Sequence, residues 1–218
     1  MNTNYNNMIE KYKHIIWDWN GTLFNDTGLS LDLINGLLSK RNLPILTLEE
    51  YRNVFTFPVK DYYSKAGFDF TKESFEKVGR EWMDEYERRK YEGTLHEGTI
   101  DVLGKISSLG IGQSILSAYS QKSLEDIVGY YGLTEYFEHI YGLDNIYASS
   151  KIQLGKELMK KLGNGKGETL LIGDTEHDYD VAVEIGADCV LIANGHQSFE
   201  KLSKYGTVFK ELKDLLGK

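Results

Sequence analysis

The chain has 218 residues, 41% of them apolar and 27% charged. A chain of that length hides roughly 70% of its unfolded surface, so it holds a real core as one domain or as a domain with a smaller insert. Lysine and arginine number 25 against 33 aspartate and glutamate, a net charge of −8, which gives no electrostatic footprint for duplex DNA or an anionic membrane surface. Aromatic content of 12% with two prolines argues against a disordered or Pro-rich linker protein. The single Cys189 excludes an intramolecular disulfide and any cysteine-based zinc cluster. No apolar run approaches the length of a membrane span, and the opening MNTNYNNMIEKYK lacks the apolar stretch of a signal peptide. A cytoplasmic protein is therefore expected, with no nucleic-acid or membrane partner.

Residues 1–13 read as a frayed tail. His14-Ile15-Ile16-Trp17 is a short apolar run halted by Asp18-Trp19-Asn20-Gly21-Thr22, the pattern of a buried strand feeding a loop. From Thr27 the period turns helical: Leu29, Leu33, Ile34, Leu37 and Leu38 recur, with Asn42 and Pro44 as the stop. Thr47-Leu48-Glu49-Glu50 is a capping box opening the next helix. Phe75, Val78, Trp82 and Tyr86 form a further helical stripe that runs out at Gly93, most simply the core of this block. No strand is expected between residues 27 and 95.

Beyond it, strands and helices alternate. Helices are predicted over Ile100–Leu109, Leu124–Tyr131, Ile152–Leu162 and Val181–Ile185. Strands are predicted at Ile111–Ser117, around Ile140-Tyr141, at Thr169–Ile172 and at Cys189–Ile192. Such alternation implies right-handed crossovers and a parallel sheet. The predicted architecture is α/β: a Rossmann-like parallel-sheet core with helices on both faces (residues 14–26 and 96–218) and an inserted all-helical cap (residues 27–95).

Ligands of an open parallel sheet sit beyond the carboxyl ends of its strands. Asp18 with Asn20, Ser117, Lys151, and Gly173-Asp174 with Asp178 all fall there. Each alone is ordinary turn or helix-start chemistry. Together, carboxylates from two strands, a hydroxyl and an ammonium make a site for a cation and a phosphate. Oxygen ligands of this kind favour Mg²⁺.

These residues resemble the motifs of the haloacid dehalogenase superfamily, in its phosphoglycolate-phosphatase-like branch with a helical cap after the first motif. The four motifs appear in order as Asp18-Trp19-Asn20-Gly21-Thr22, as Ser117 in Ile115-Leu116-Ser117-Ala118, as Lys151, and as Gly173-Asp174-Thr175-Glu176-His177-Asp178. The resemblance spans residues 14 to about 195. It implies a Mg²⁺-dependent phosphatase acting on a small phosphorylated metabolite, phosphoglycolate-like, with Asp18 as the nucleophile that becomes an aspartyl-phosphate. It implies Mg²⁺ on Asp18, the Asn20 carbonyl and Asp174, with Asp178 on a metal-bound water. It places phosphoryl oxygens on Ser117, the Ala118 N–H and Lys151.

Asn20 departs from the family pattern, which has an aspartate there as general acid and base. An amide cannot exchange that proton, and such groups contribute about 10²–10⁴-fold. Slow turnover, restriction to good leaving groups or a long-lived intermediate is implied, and with it the alternative of a catalytically weak, ligand-binding regulatory member. A metal-free dehalogenase is disfavoured by Asp174 and Asp178. A phosphonatase would need a Schiff-base lysine in the cap, and a phosphomutase the acid that Asn20 replaces.

The other conspicuous residues read more plainly. Glu176 and His177 are expected in a surface loop. Trp17 and Trp19 are expected in core and pocket wall. Arg88-Arg89-Lys90 offsets a helix macrodipole. Lys60, within Phe57-Pro58-Val59-Lys60, is expected to stay clear of substrate, and His96-Glu97 lacks the partners of a metal cluster.

Overall fold

The computed structural model describes residues 8–143 and 150–216. In chain order the elements are β1 (His14–Trp17), β2 (Phe24–Asn25), α1 (Thr27–Lys40), α2 (Leu48–Val54), α3 (Val59–Ala66) and α4 (Phe75–Arg89). There follow β3 (Thr94–Leu95), α5 (Thr99–Ser108), β4 (Gly112–Ser120), α6 (Gln121–Tyr130) and β5 (His139–Leu143). The chain continues with α7 (Lys151–Leu162), β6 (Thr169–Gly173), α8 (Glu176–Ile185), β7 (Asp188–Ile192), α9 (Phe199–Leu202) and β8 (Thr207–Phe209). Six strands form one sheet in the order β5-β4-β1-β6-β7-β8, and every pairing in it is parallel.

The apolar runs of the central strands alternate between the two faces, as a period of two requires. Ile15, Trp17, Ile115, Leu170 and Ile172 join the cluster that also holds Val102, Leu103 and Ile106 of α5 and Leu124, Ile127 and Val128 of α6. Ile16, Leu116 and Leu171 point the other way, into Leu154 and Leu158 of α7 and Val181, Ala182 and Ile185 of α8. Strands buried on both sides read as continuous apolar runs, which is why they were legible.

The inserted helices build a third cluster from Ile34, Leu37, Leu38, Tyr51, Tyr62, Tyr63 and Val78. The insert shares its longest helices with the main core. Leu29 and Leu33 at the start of α1, and Tyr86 near the end of α4, belong to the sheet's cluster. The antiparallel β2–β3 ribbon, Phe24 opposite Leu95 and Asn25 opposite Thr94, ties together the two points where the chain leaves and re-enters the sheet domain.

Several expectations need correction. Within the tail expected over residues 1–13, residues 8–13 pack against the sheet. Ile9 and Tyr12 are buried because they cover the sheet's cluster, and the Tyr12 hydroxyl donates to Asp188 at 2.8 Å. Residues 1–7 lie outside the described residues. The block expected to be all helix ends in the strand β3, too short for periodicity to reveal. The strand expected to end at Ser117 runs on to Ser120, with a register irregularity against β5 between Leu116 and Ser120. Such a bulge re-aims side chains next to a site.

Removing most of a fully buried side chain from the central strand leaves a cavity that neighbours close only in part. Ile16→Ala should lower unfolding stability in urea by about 2–5 kcal/mol. Thr47→Ala, which breaks the observed capping box with Glu50, should cost only about 1 kcal/mol.

Candidate active site

Asp18, Asn20, Ser117, Ala118, Lys151, Asp174 and Asp178 line one cavity of about 630 Å³ at the carboxyl ends of β1, β4 and β6. Each is placed by local structure. Asp18 follows β1, its N–H donating to the Ile172 carbonyl at 2.9 Å. Lys151 opens α7 directly after its cap Ser150, whose hydroxyl accepts from Gln153. Asp178 is the third residue of α8 and closes a capping box with Thr175. Ser117 is buried and Ala118 exposed on the irregular part of β4.

Carboxylate oxygens of Asp18, Asp174 and Asp178 all lie within 4.8 Å of one another, and all three residues are buried. Lys151 Nζ sits 2.5 Å from both Asp18 Oδ1 and Asp178 Oδ1. The remaining oxygen of Asp178 accepts from the Thr175 hydroxyl at 2.6 Å and from the Asp174 and Thr175 N–H groups at 3.2 and 3.0 Å. Thr22 Oγ1 bridges Asp18 Oδ2 and Asp174 Oδ1, at 3.2 and 3.1 Å. The His196 N–H donates to Asp174 Oδ2 at 2.6 Å. A side chain has no room here: a Cβ on Gly21, whose φ is +79°, would lie 2.3 Å from Asp174 Oδ2, and one on Gly195 would lie 2.1 Å from the same atom.

One ammonium does not balance three buried carboxylates. Burial lifts the Asp18 carboxyl to about 6 against the pull of Lys151, with Asp178 adding repulsion. Burial, opposed by the His196 charge and reinforced by Asp18 and Asp178, lifts Asp174 to about 8. Asp178 stays below its ordinary value because Lys151 outweighs its burial. Lys151 in turn is held above its ordinary value, Asp178 and Asp18 outweighing its burial. A cluster of hard oxygen donors with a charge deficit fits Mg²⁺.

The sequence reasoning missed a second ionic group beside the first. Asp26 precedes α1 without capping it. Its four acceptor positions are filled by Gly21 N–H at 3.1 Å, Asn20 Nδ2 at 2.9 Å, Tyr86 Oη at 2.7 Å and His196 Nε2 at 3.2 Å. Burial opposes charge on His196, but Asp26 outweighs it and raises the imidazole to about 9. The other ring nitrogen meets Tyr51 Oη at 2.8 Å. The rule that flagged Asp174, a polar residue beyond a strand's carboxyl end, applies equally to His196 after β7. Asp26 gave no such signal, because an aspartate before a helix reads as a cap. The Asn20 amide donates to both Asp26 and Tyr86, the latter at 2.7 Å.

Other placements are mixed. Trp17 and Trp19 are fully buried core, whereas Phe75, Trp82 and Tyr86 wall the cavity as well as packing the helices. His177 and Glu176, expected in a surface loop, occupy the first turn of α8. His177 stacks on Phe57 with centroids 4.6 Å apart, and Glu176 accepts from Thr56 at 2.6 Å, because the insert presses on this turn. Lys60 is exposed and lies over Phe70. Arg88, Arg89 and Lys90 pair with Glu85, Glu92 with Asp32, and Glu87 with Asp126. His96 Nε2 contacts the Gly21 carbonyl at 3.0 Å rather than the acidic cluster.

A carboxyl whose folded pKa is raised costs stability once the pH passes its unfolded value. The metal-free protein should therefore weaken as pH rises from about 4 toward 8. Mg²⁺ competes with the protons on Asp18 and Asp174, so its gain in melting temperature should grow between about pH 5 and pH 8. Differential scanning fluorimetry checks this, and a gain largest at the acidic end contradicts it.

Residues 15–192 match the family model for haloacid dehalogenase-like hydrolases. The phosphoglycolate phosphatase of Rhodobacter capsulatus is 24% identical over 188 residues, 84% of this chain and 85% of that one. A haloacid dehalogenase-like hydrolase from Streptococcus pneumoniae superposes with a TM-score of 0.79 at 20% identity, covering 94% and 97% of the two chains. The Mycobacterium tuberculosis protein tyrosine kinase A superposes with a TM-score of 0.78 at 19% identity, covering 95% and 99%. At such identities a superposition shows the fold alone. The family match over most of the chain shows that it belongs to the haloacid dehalogenase-like hydrolases.

Proposed function

We propose that this hydrolase is a Mg²⁺-dependent phosphatase that cleaves a soluble phosphomonoester through an aspartyl-phosphate on Asp18. The observation that supports this reading most is the buried contact of Asp18 with Lys151, 2.5 Å, at an edge shared with Ser117 and Asp174. The Rhodobacter relative's phosphatase name favours the same reaction class.

Bound to the carboxylates of Asp18 and Asp174 and to the Asn20 carbonyl, Mg²⁺ would supply positive charge to the transferring phosphoryl group. The chain's own residues do the rest. Two hydrogens of the Lys151 ammonium go to Asp18 and Asp178, leaving the third for a phosphoryl oxygen. Ser117 Oγ accepts from the Tyr119 N–H at 3.1 Å, so its own proton is available to the phosphoryl group, as is the N–H of Ala118. Asp18 attacks phosphorus, the ester oxygen departs with its electron pair, and water then attacks the acyl-phosphate and restores the carboxylate. Asp178, its oxygens committed to Lys151 and to the turn at Thr175, serves to aim the lysine rather than to hold the metal.

Asn20 supports a second reading, a slow enzyme with a persistent phosphoenzyme, because both hydrogens of its amide are tied to Asp26 and Tyr86.

Asp18→Asn should abolish Mg²⁺-dependent phosphate release, and unchanged release would remove Asp18 from the mechanism. Asn20→Asp places an acid against Asp26, where two facing carboxyls retain a proton near neutral pH. It should raise turnover by about tenfold or more, read as the burst and steady-state rates of phosphate release. A wild-type enzyme already fast and unimproved would show that another group moves the proton.

A further inference from the structure

The cavity that holds Asp18 is far larger than a phosphate with a two-carbon acid. Its volume of about 630 Å³ is that of a site for a drug-sized ligand. Besides the acidic residues, its walls include the rings of Phe57, Phe75, Trp82, Tyr86 and Tyr119, with the exposed Met83 among them. The rings are pinned. Trp82 stacks on Tyr86 with centroids 4.8 Å apart, Tyr119 meets Tyr86 edge-on at 5.6 Å, and the Tyr86 hydroxyl is fixed on Asp26.

The charged lining argues against an anionic organic group. Lys151 is committed to Asp18 and Asp178, and His196 to Asp26. Among the described residues of the lining, the remaining cation is Arg80, on an exposed face of α4 between Glu76 and Asp84, one turn to either side. A substrate carboxylate entering this chamber would meet Glu76 and Asp84 with one exposed guanidinium to offset them, the charge of Asp26 being already matched by His196.

A separate observation points the same way. Position 20 is an amide whose hydrogens are already donated to Asp26 and Tyr86, so it offers the leaving oxygen no acidic proton. An alkoxide leaving without a proton is strongly disfavoured. A phenoxide, whose conjugate acid has a pKa of about 10, leaves far more readily.

We infer that the substrate is an aryl phosphate, a phosphate monoester of a phenol, whose ring lies among Phe57, Trp82 and Tyr86 while the phosphate meets Asp18. The inference rests on the phosphatase reading. In the step it describes, an Asp18 oxygen bonds to phosphorus and the phosphorus–aryl oxygen bond breaks. The phenoxide leaves with the electron pair and is protonated by solvent, and water later releases phosphate from Asp18.

The test compares phenyl phosphate, phosphoglycolate and adenosine 5′-monophosphate with Mg²⁺ in two assays. These are kcat/KM for the wild-type protein and calorimetric affinity for Asp18→Asn, which reads binding without turnover. Phenyl phosphate should lead by at least tenfold in both, and kcat across ring-substituted phenyl phosphates should fall as leaving-group pKa rises. Trp82→Leu and Phe57→Leu should each raise KM for phenyl phosphate by roughly three- to tenfold, and by more than they raise it for phosphoglycolate. The second variant covers the first if Trp82 proves structural. Faster cleavage of phosphoglycolate or the nucleotide overturns the inference and keeps the phosphatase reading. Tighter binding of phenyl phosphate without cleavage of any ester upholds the pocket's preference and removes the phosphatase reading. Neither cleavage nor preference overturns both.

Discussion

Three buried carboxylates facing one buried ammonium is the constraint on which the rest of this structure depends. Asp18, Asp174 and Asp178 converge within 4.8 Å, and Lys151 satisfies the first and last of them. Like charges so close in a dry site are tolerable only if protons or a cation make up the difference. The metal-free chain uses protons, which is why Asp18 is raised to about 6 and Asp174 to about 8. A divalent ion held there would do the same at neutral pH and would leave Asp18 ionised, the form that the proposed attack on phosphorus requires. The glycines at 21 and 195 follow from the same requirement, since a Cβ at either would strike Asp174.

The Asp26–His196 pair links this charge balance to the helical insert. The His196 backbone N–H holds Asp174, while its ring binds Asp26 on one side and Tyr51 of α2 on the other. Arg52 adds hydrogen bonds to the carbonyls of Gly195 and Asn194 at 3.0 and 2.9 Å, and Thr56 donates to Glu176 at the start of α8. The loop that positions an acidic residue is thus the surface on which the insert rests. Tyr51, Phe55 and Tyr62 of the insert also line the cavity, and apolar walls of this kind strengthen each electrostatic interaction within it.

The parallel-sheet core was legible because its central strands β1 and β6 are buried on both faces and its helices carry apolar stripes and glycine stops, as in Lys151–Leu162 ahead of Gly163. The acidic cluster was legible because strand ends are where such folds collect chemistry. What escaped had physical reasons. β3 and β8 have two and three residues, too few for a period. Ile9 and Tyr12 sit in a polar stretch whose burial is decided by a distant part of the sheet. Asp26 carries an ordinary cap signature and spends its carboxylate elsewhere. The stripe of Phe75, Trp82 and Tyr86 reads as helix core, and only the three-dimensional arrangement turns it toward a cavity.

The most direct test is anomalous diffraction from a crystal of the wild-type protein soaked in saturating Mn²⁺, a stand-in for Mg²⁺ with the same oxygen preference. The charge-deficit account predicts one strong peak between the carboxylates of Asp18 and Asp174, with Lys151 still against Asp18. A map without a peak there, or with the ion bound away from Asp174, would contradict it.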